Sequence, residues 1–366
     1  MLPLAVCTTL ASACRPPQSA QSLAPLARMS VITRVLESQR GLIEPATGVE
    51  YGNLPSSIAI RRARVLMSPP RVANARGSIW ELDSTGHVTN AIRFSGKFDS
   101  TSVQLLLAHG RGDTIWAVDR NRGCVATLDP QDRWHDVKCL EGMTMRVTGI
   151  VRFPDGSTLS AEQRLDAETV GYPLQSYDSL GRWRRAVTVD DDVLDPRWSL
   201  GRVRHIRPGL GNDAWIFQIA RPILEHVSSD GRLLRRLELD LPGFVLGPKR
   251  DTLPSRALPP WSGLVDVAQV SADTLFVVYR VPNPAWRDEA RWVWDTTAQG
   301  KPIDRPARVD RVWDSRIATI HAFDGRVIAV DSVSALVGDI NSSGWFVAAR
   351  QVGQREWRVD LWRVKR

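Results

Sequence analysis

Asp113-Thr114-Ile115-Trp116-Ala117-Val118 is an acidic residue leading into a short apolar run. The phrase returns, loosely, as Ser157-Thr158-Leu159-Ser160-Ala161, Asp213-Ala214-Trp215-Ile216-Phe217, Asp273-Thr274-Leu275-Phe276-Val277-Val278 and Ser343-Gly344-Trp345-Phe346-Val347. A second phrase alternates with it. Apolar and polar residues alternate up to a turn that holds Asp or Ser and usually Gly: Asp83 to Gly86, Asp129-Pro130, Asp178 to Gly181, Ser228 to Gly231, and Asp324-Gly325. Alternation marks half-buried strands, and Asp and Gly supply tight-turn chemistry. A further short segment precedes each apolar run, so each unit holds four short strands, the hairpin forming the last two.

Four antiparallel strands recurring at a period of about 45 residues are the mark of a propeller blade. The units fall near 55–95, 100–140, 146–190, 200–240, 262–332 and 333–366. The fold class expected is therefore all-β, a six-bladed β-propeller spanning 55–366. Residues 1–14 read as a signal segment and 15–54 as a tether. The last unit lacks its outer strand, and a segment around Ile58 to Val65 is expected to supply it and close the ring. Closure removes the exposed edges of an open sheet. Two separate β-sandwiches are the alternative, but the even spread of the phrase argues against a boundary.

The phrase Gly112-Asp113-Thr114-Ile115-Trp116-Ala117-Val118-Asp119, followed by Cys124-Val125-Ala126-Thr127-Leu128-Asp129, resembles the blades of NHL-repeat proteins and of the gluconolactonase/regucalcin group. The resemblance covers residues from about 78 to 366. It implies the six-bladed fold and leaves activity open, because propellers host enzymes, receptors and scaffolds alike. Enzymes of the gluconolactonase group hold a divalent metal in the channel with Glu, Asn and Asp. That set has no residue-by-residue match here.

The N-terminal stretch Met1-Leu2-Pro3-Leu4-Ala5-Val6-Cys7 to Ala11-Ser12-Ala13-Cys14 is apolar and small, the form of a secretory signal. Its last four residues resemble the lipobox of bacterial lipoproteins, with Cys14 as the acylated residue. Ala11 stands where Leu is usual, and no basic residue precedes the run. Arg15 after Cys14 points to the outer membrane. Cell-envelope localisation through a lipid anchor is the expectation.

Beyond the signal only Cys124 and Cys139 remain. If Asp129 pairs with Trp134 across the intervening turn, Cys124 faces Cys139 directly, within disulfide reach. An oxidising compartment lets such a bond form. Two buried free thiols are the alternative.

The chain of 366 residues is 43% hydrophobic and 24% charged, with a formal charge of +8. Its basic residues are interspersed with acids rather than clustered, which argues against a nucleic-acid partner. No run of about 18 or more apolar residues is present, so no transmembrane helix is expected.

Two regions are candidate sites. The links 162–173, 241–262 and 281–316 join second to third strands or blade to blade, so all should project from one face. The longest carries Trp286, Arg287, Arg291, Trp292, Trp294, Arg311 and Trp313, and Trp and Arg are enriched in binding hot spots. It suits a lid or docking loop, and equally a loop that packs its Trp residues on its own propeller. The channel is the other region. First strands bring His109, Arg152, His205, Arg207 and Asp266 to it. A hard cation needs several convergent oxygens, and Asp266 and Asp339 alone do not display them, so no cofactor is expected beyond an unassigned divalent cation.

No Gly-x-Ser-x-Gly elbow is present. Strong fold phrases beside absent catalytic ones point to a monomeric binding or scaffold lipoprotein for an envelope protein, peptide or glycan. A metal-dependent lactonase or esterase working in the channel is the alternative.

Overall fold

The computed structural model describes residues 27–31, 57–61, 64–68, 78–82, 88–93, 105–129, 131, 133–143, 147–162, 174–187, 204–247, 256–296, 300, 302–351 and 357–364. They form six four-stranded antiparallel sheets and one two-stranded hairpin. Each sheet is a blade. In order they are I (58–93), II (105–139), III (147–187), IV (204–238), V (263–333) and VI (336–363, with 27–31). First strands of neighbouring blades touch all the way round, from I to II and on to VI and back to I. The protein is a six-bladed β-propeller.

The two phrases have distinct physical origins. Second strands lie between blades and are covered on both sides. Ile115–Asp119 and Thr158–Glu162 are buried throughout, so they read as apolar or small runs rather than alternations. Outer strands face solvent: Trp183–Val187 is mostly exposed. The core is the set of seams between blades. Trp116 and Val118 of blade II, Ile150 of blade III and Ile216 of blade IV belong to one such cluster.

The turn residues close the hairpins as their chemistry predicts. Asp178 Oδ1 accepts from the amides of Leu180 and Arg182, at 2.8 and 2.9 Å, and Asp129 Oδ1 from those of Gln131 and Arg133. Gly181 and Gly231 have φ of 82° and 81°, a conformation side chains resist. They also dock one blade on the next. A Cβ on Gly181 would lie 2.6 Å from the Cys139 carbonyl, and the Glu141 amide donates to the Gly181 carbonyl at 2.9 Å.

The disulfide Cys124–Cys139 is formed. The turn beside it is offset from the expected register: Leu128, not Asp129, pairs with Trp134. A β-bulge between Val125 and Thr127 then restores Cys124 opposite Cys139. The same irregularity lies between third and fourth strands in blades I, III, IV and V.

One expectation is corrected. The ring is closed by Ala27–Val31, which pairs with Trp357–Arg363 from Ala27 opposite Arg363 to Val31 opposite Val359. Ile58–Arg61 and Arg64–Met67 are instead the first two strands of blade I. Nothing in the closing strand repeats the blade phrase, because an outer strand has only one neighbour to satisfy.

Candidate functional site

First strands carry four charged or titratable side chains into one cluster. Arg207 donates to Asp266 through two parallel bonds, Nε to Oδ1 at 2.5 Å and Nη2 to Oδ2 at 2.7 Å. The same Nη2 donates to Asp339 Oδ1 at 2.6 Å. Asp339 Oδ2 lies 2.7 Å from His109 Nε2 and accepts from the Ile60 amide at 3.0 Å. Asp266 accepts from the amides of Val267 and Ile340, at 2.8 and 2.9 Å. The network draws on blades I, II, IV, V and VI, so it is a hub for the ring.

Both acids are almost wholly buried, at 1% and 2% exposure. Burial pushes the Asp266 carboxyl above its ordinary value, with the Arg207 charge pulling against it. Burial also works to raise Asp339, but His109 and Arg207 outweigh it and hold that carboxyl below its ordinary value. Asp266 and Asp339 therefore do converge, and what they converge on is the protein's own guanidinium. A divalent cation of the kind the gluconolactonase resemblance implies would need those oxygens free. Among the described residues no three His, Cys, Asp or Glu side chains are placed to hold a metal ion. The residues present do not fit that group.

Arg207 lines cavities on both sides of the hub. One, of about 370 Å³, opens among the first-to-second-strand turns and is lined by His109, Gln269 and Asn341. The other, of about 340 Å³, opens toward the second-to-third-strand links and is lined by His205, Arg120 and Arg280. His205 stacks on Phe217, with centroids 5.1 Å apart. Burial holds its pKa down at about 4, and the Arg207 and Arg120 cations add to that. The imidazole is thus neutral near pH 7. Arg152 lines neither cavity; its charge, after burial, helps to lower the pKa of Lys138.

Arg120 and Arg280 were not among the candidates read from the sequence, and Asp339 was weighed there only as a cation ligand. Arg120 and Arg280 lie past the apolar run rather than on a first strand. A signal was nonetheless present: each stands six residues after the Thr of its phrase, Thr114 or Thr274.

The blade V insertion leaves the end of strand Thr274–Pro282, on the face of the second cavity. It forms a one-turn helix, Trp286–Glu289, then a hairpin of Trp292–Thr296 with Pro302–Pro306. Trp286 is buried and meets Trp292 edge-on at 5.5 Å, while the Arg287 guanidinium lies over the Trp286 ring. Trp292 Nε1 donates to the Trp286 carbonyl, and Trp313 Nε1 to that of Trp261. Arg311 reaches Glu289 at 3.7 Å, and Arg291 is exposed with a φ of 49°. The buried Asp310 holds Arg308 and accepts from the Gln351 amide, anchoring the insertion on blade VI. Three of the four Trp residues thus pack inward. Trp294 does not: it is 80% exposed, beside the exposed Val293.

No known family model and no curated protein sequence matches the chain. Among solved structures it is similar to a candidate exported protein of Bacteroides fragilis, with 9% identity, a TM-score of 0.53, and 93% of this chain and 95% of that chain covered. It is also similar to a DUF4221-family member from Bacteroides vulgatus, at 8% identity and a TM-score of 0.48, covering 85% and 93%. Virginiamycin B lyase from Staphylococcus aureus gives 11% identity and a TM-score of 0.44, covering 84% and 94%. At such identity the first of these likenesses speaks for the propeller fold alone.

Proposed function

We propose that this is a cell-envelope binding or scaffold protein that presents one propeller face to a protein, peptide or glycan partner. The observation that carries the reading is the blade V hairpin. Its base is braced by Trp286, Trp292 and the Asp310 anchor, and an Arg305–Asp295 ion pair at 2.6 Å spans its strands. Its outer surface offers Trp294 and Val293 to solvent. A braced hairpin that carries an exposed aromatic on its strand suits recognition, since little order is lost on binding.

The disulfide supports the envelope setting. The Cys124–Cys139 bond forms and persists in oxidising compartments. Attachment through Cys14, at the outer membrane, belongs to the same proposal and rests on the Ala-Ser-Ala-Cys pattern. The metal-dependent hydrolase is not favoured, because Asp266 and Asp339 are committed to Arg207 and His109.

A photo-reactive residue at position 294, compared with one at position 180, tests the reading in cells making the full chain. Leu180 is also exposed, at 65%, but on a third-to-fourth-strand turn of the opposite face. A discrete adduct from 294 and none from 180 supports a loop-face partner. No adduct from 294, or equal adducts from both, overturns it.

A further inference from the structure

The cavity on the loop face holds two guanidiniums, Arg120 and Arg280, that meet no carboxylate among the described residues. Arg280 has its Nη2 on the Val337 carbonyl at 3.0 Å, while its Nε is buried with no partner. The Nε of Arg120 is buried and unpartnered in the same way. Burial alone lowers the pKa of both, Arg280 to about 10, with no carboxylate offsetting it. The acids that share the cavity, Asp266 and Asp339, are taken by Arg207 and His109. Both side chains are half-buried with a buried, unpartnered Nε, a position that favours an added hydrogen-bond acceptor. Two in one cavity, among described residues whose buried charges are mostly paired, call for an anion from outside.

The placement of the two is systematic. Arg120 and Arg280 occupy the same position in the repeat, on blades II and V. In a ring of six, these blades stand opposite each other. The two cations therefore approach the channel from opposite walls, with the neutral His205 beside them and the Arg207 hub as floor. At about 340 Å³ the cavity is of small-ligand size.

We propose that this chamber binds a small organic oxyanion, a carboxylate- or phosphate-bearing molecule, held between Arg120 and Arg280 and entering from the loop face. Arg recognises both groups through its planar fork. The site is separate from the exposed hairpin, and neither reading depends on the other.

The test uses the full-length protein and calorimetric titration with galacturonate, citrate and inorganic phosphate, against galactose and chloride at matched ionic strength. The expected result is saturable binding of at least one oxyanion and none of galactose or chloride. Arg120→Gln and Arg280→Gln should each weaken it by roughly ten- to hundredfold, the size of a lost hydrogen bond to a charged group. Arg120→Gln should melt no lower than the wild type without ligand, since it removes a charge with an unpartnered buried Nε, whereas Arg280→Gln also gives up the bond to the Val337 carbonyl. Binding by organic anions alone, or by phosphate as well, tells the carboxylate source from the phosphate source. If no oxyanion binds the wild-type protein, or if binding survives both substitutions, the proposal is wrong.

Discussion

Cys124 stands directly opposite Cys139, while Leu128 and Trp134, at the tip of the same hairpin, pair one residue out of that register. The bulge between them places the two sulfurs together. The bond encloses a sequence separation of 15 residues, for which chain-entropy reasoning gives about 3 kcal/mol. Cys124→Ser with Cys139→Ser, or treatment with reductant, should therefore lower the urea midpoint of the wild-type protein by a corresponding amount. Reductant should leave the double variant unchanged. An identical midpoint before and after reduction would show that the bond contributes nothing.

Arg207 bridges two buried acids at once. Arg207→Gln strips the guanidinium from both, leaving Asp339 its His109 contact and Asp266 no cation, and should cost about 3–5 kcal/mol, as breaking a buried ion pair does. Adding Asp266→Asn and Asp339→Asn should recover part of that loss. Urea melts of the single and triple variants check this; a single variant as stable as the wild type would remove the hub's structural role.

His205 makes stability depend on pH. Its pKa in the fold is about 4, below the ordinary imidazole value of about 6.5. Between these values the unfolded chain binds the proton and the fold does not, so stability rises as pH rises from about 4 to 6.5. The contribution is on the order of 3 kcal/mol across the window. Asp266, raised by burial to about 6, acts with the opposite sign over most of that range. The informative quantity is thus the difference between wild type and His205→Gln, followed by urea melts from pH 4 to 7. The wild type should gain on the variant as pH rises; parallel curves would contradict it.

The insertion's Trp residues should separate by burial. Trp286, at 7% exposure, should cost about 3–5 kcal/mol when replaced by Ala. Trp294→Ala should leave the melting temperature within about 1–2 °C, since surface changes are small, and reduce only partner binding. Thermal melts of the two variants decide between a braced hairpin and a loose one.

Removal of residues 1–31 should strip the strand that covers Trp357–Arg363. An open edge invites pairing between molecules. Light scattering during a thermal ramp should show earlier aggregation of the shortened chain, with a lower melting temperature; unchanged behaviour would mean that the ring does not need this strand.

The blades were legible because their signals are local. Asp178 and Gly181 specify a turn whatever surrounds them, and the run Ile115 to Val118 reports burial on both sides. The closing strand was not legible, since Ala27–Val31 gains its role from residues more than 300 positions away. The site was half legible. First-strand position marked out His109, His205, Arg207 and Asp266. The commitment of both acids to Arg207 needs three blades brought together, which spacing along the chain does not encode. Arg120 and Arg280 escaped for a related reason: their partnership is set by ring geometry, opposite blades meeting across a channel.

The closing strand also imposes an order in time. Ala27 is made more than 300 residues before Arg363, and the two must meet. At roughly 5–20 residues per second, the first waits about 20–60 s for its mate to emerge. Through that interval the circle stays open and the chain can still be threaded through a narrow pore. Assembly of the finished ring is thereby deferred until Trp357–Arg363 has been made.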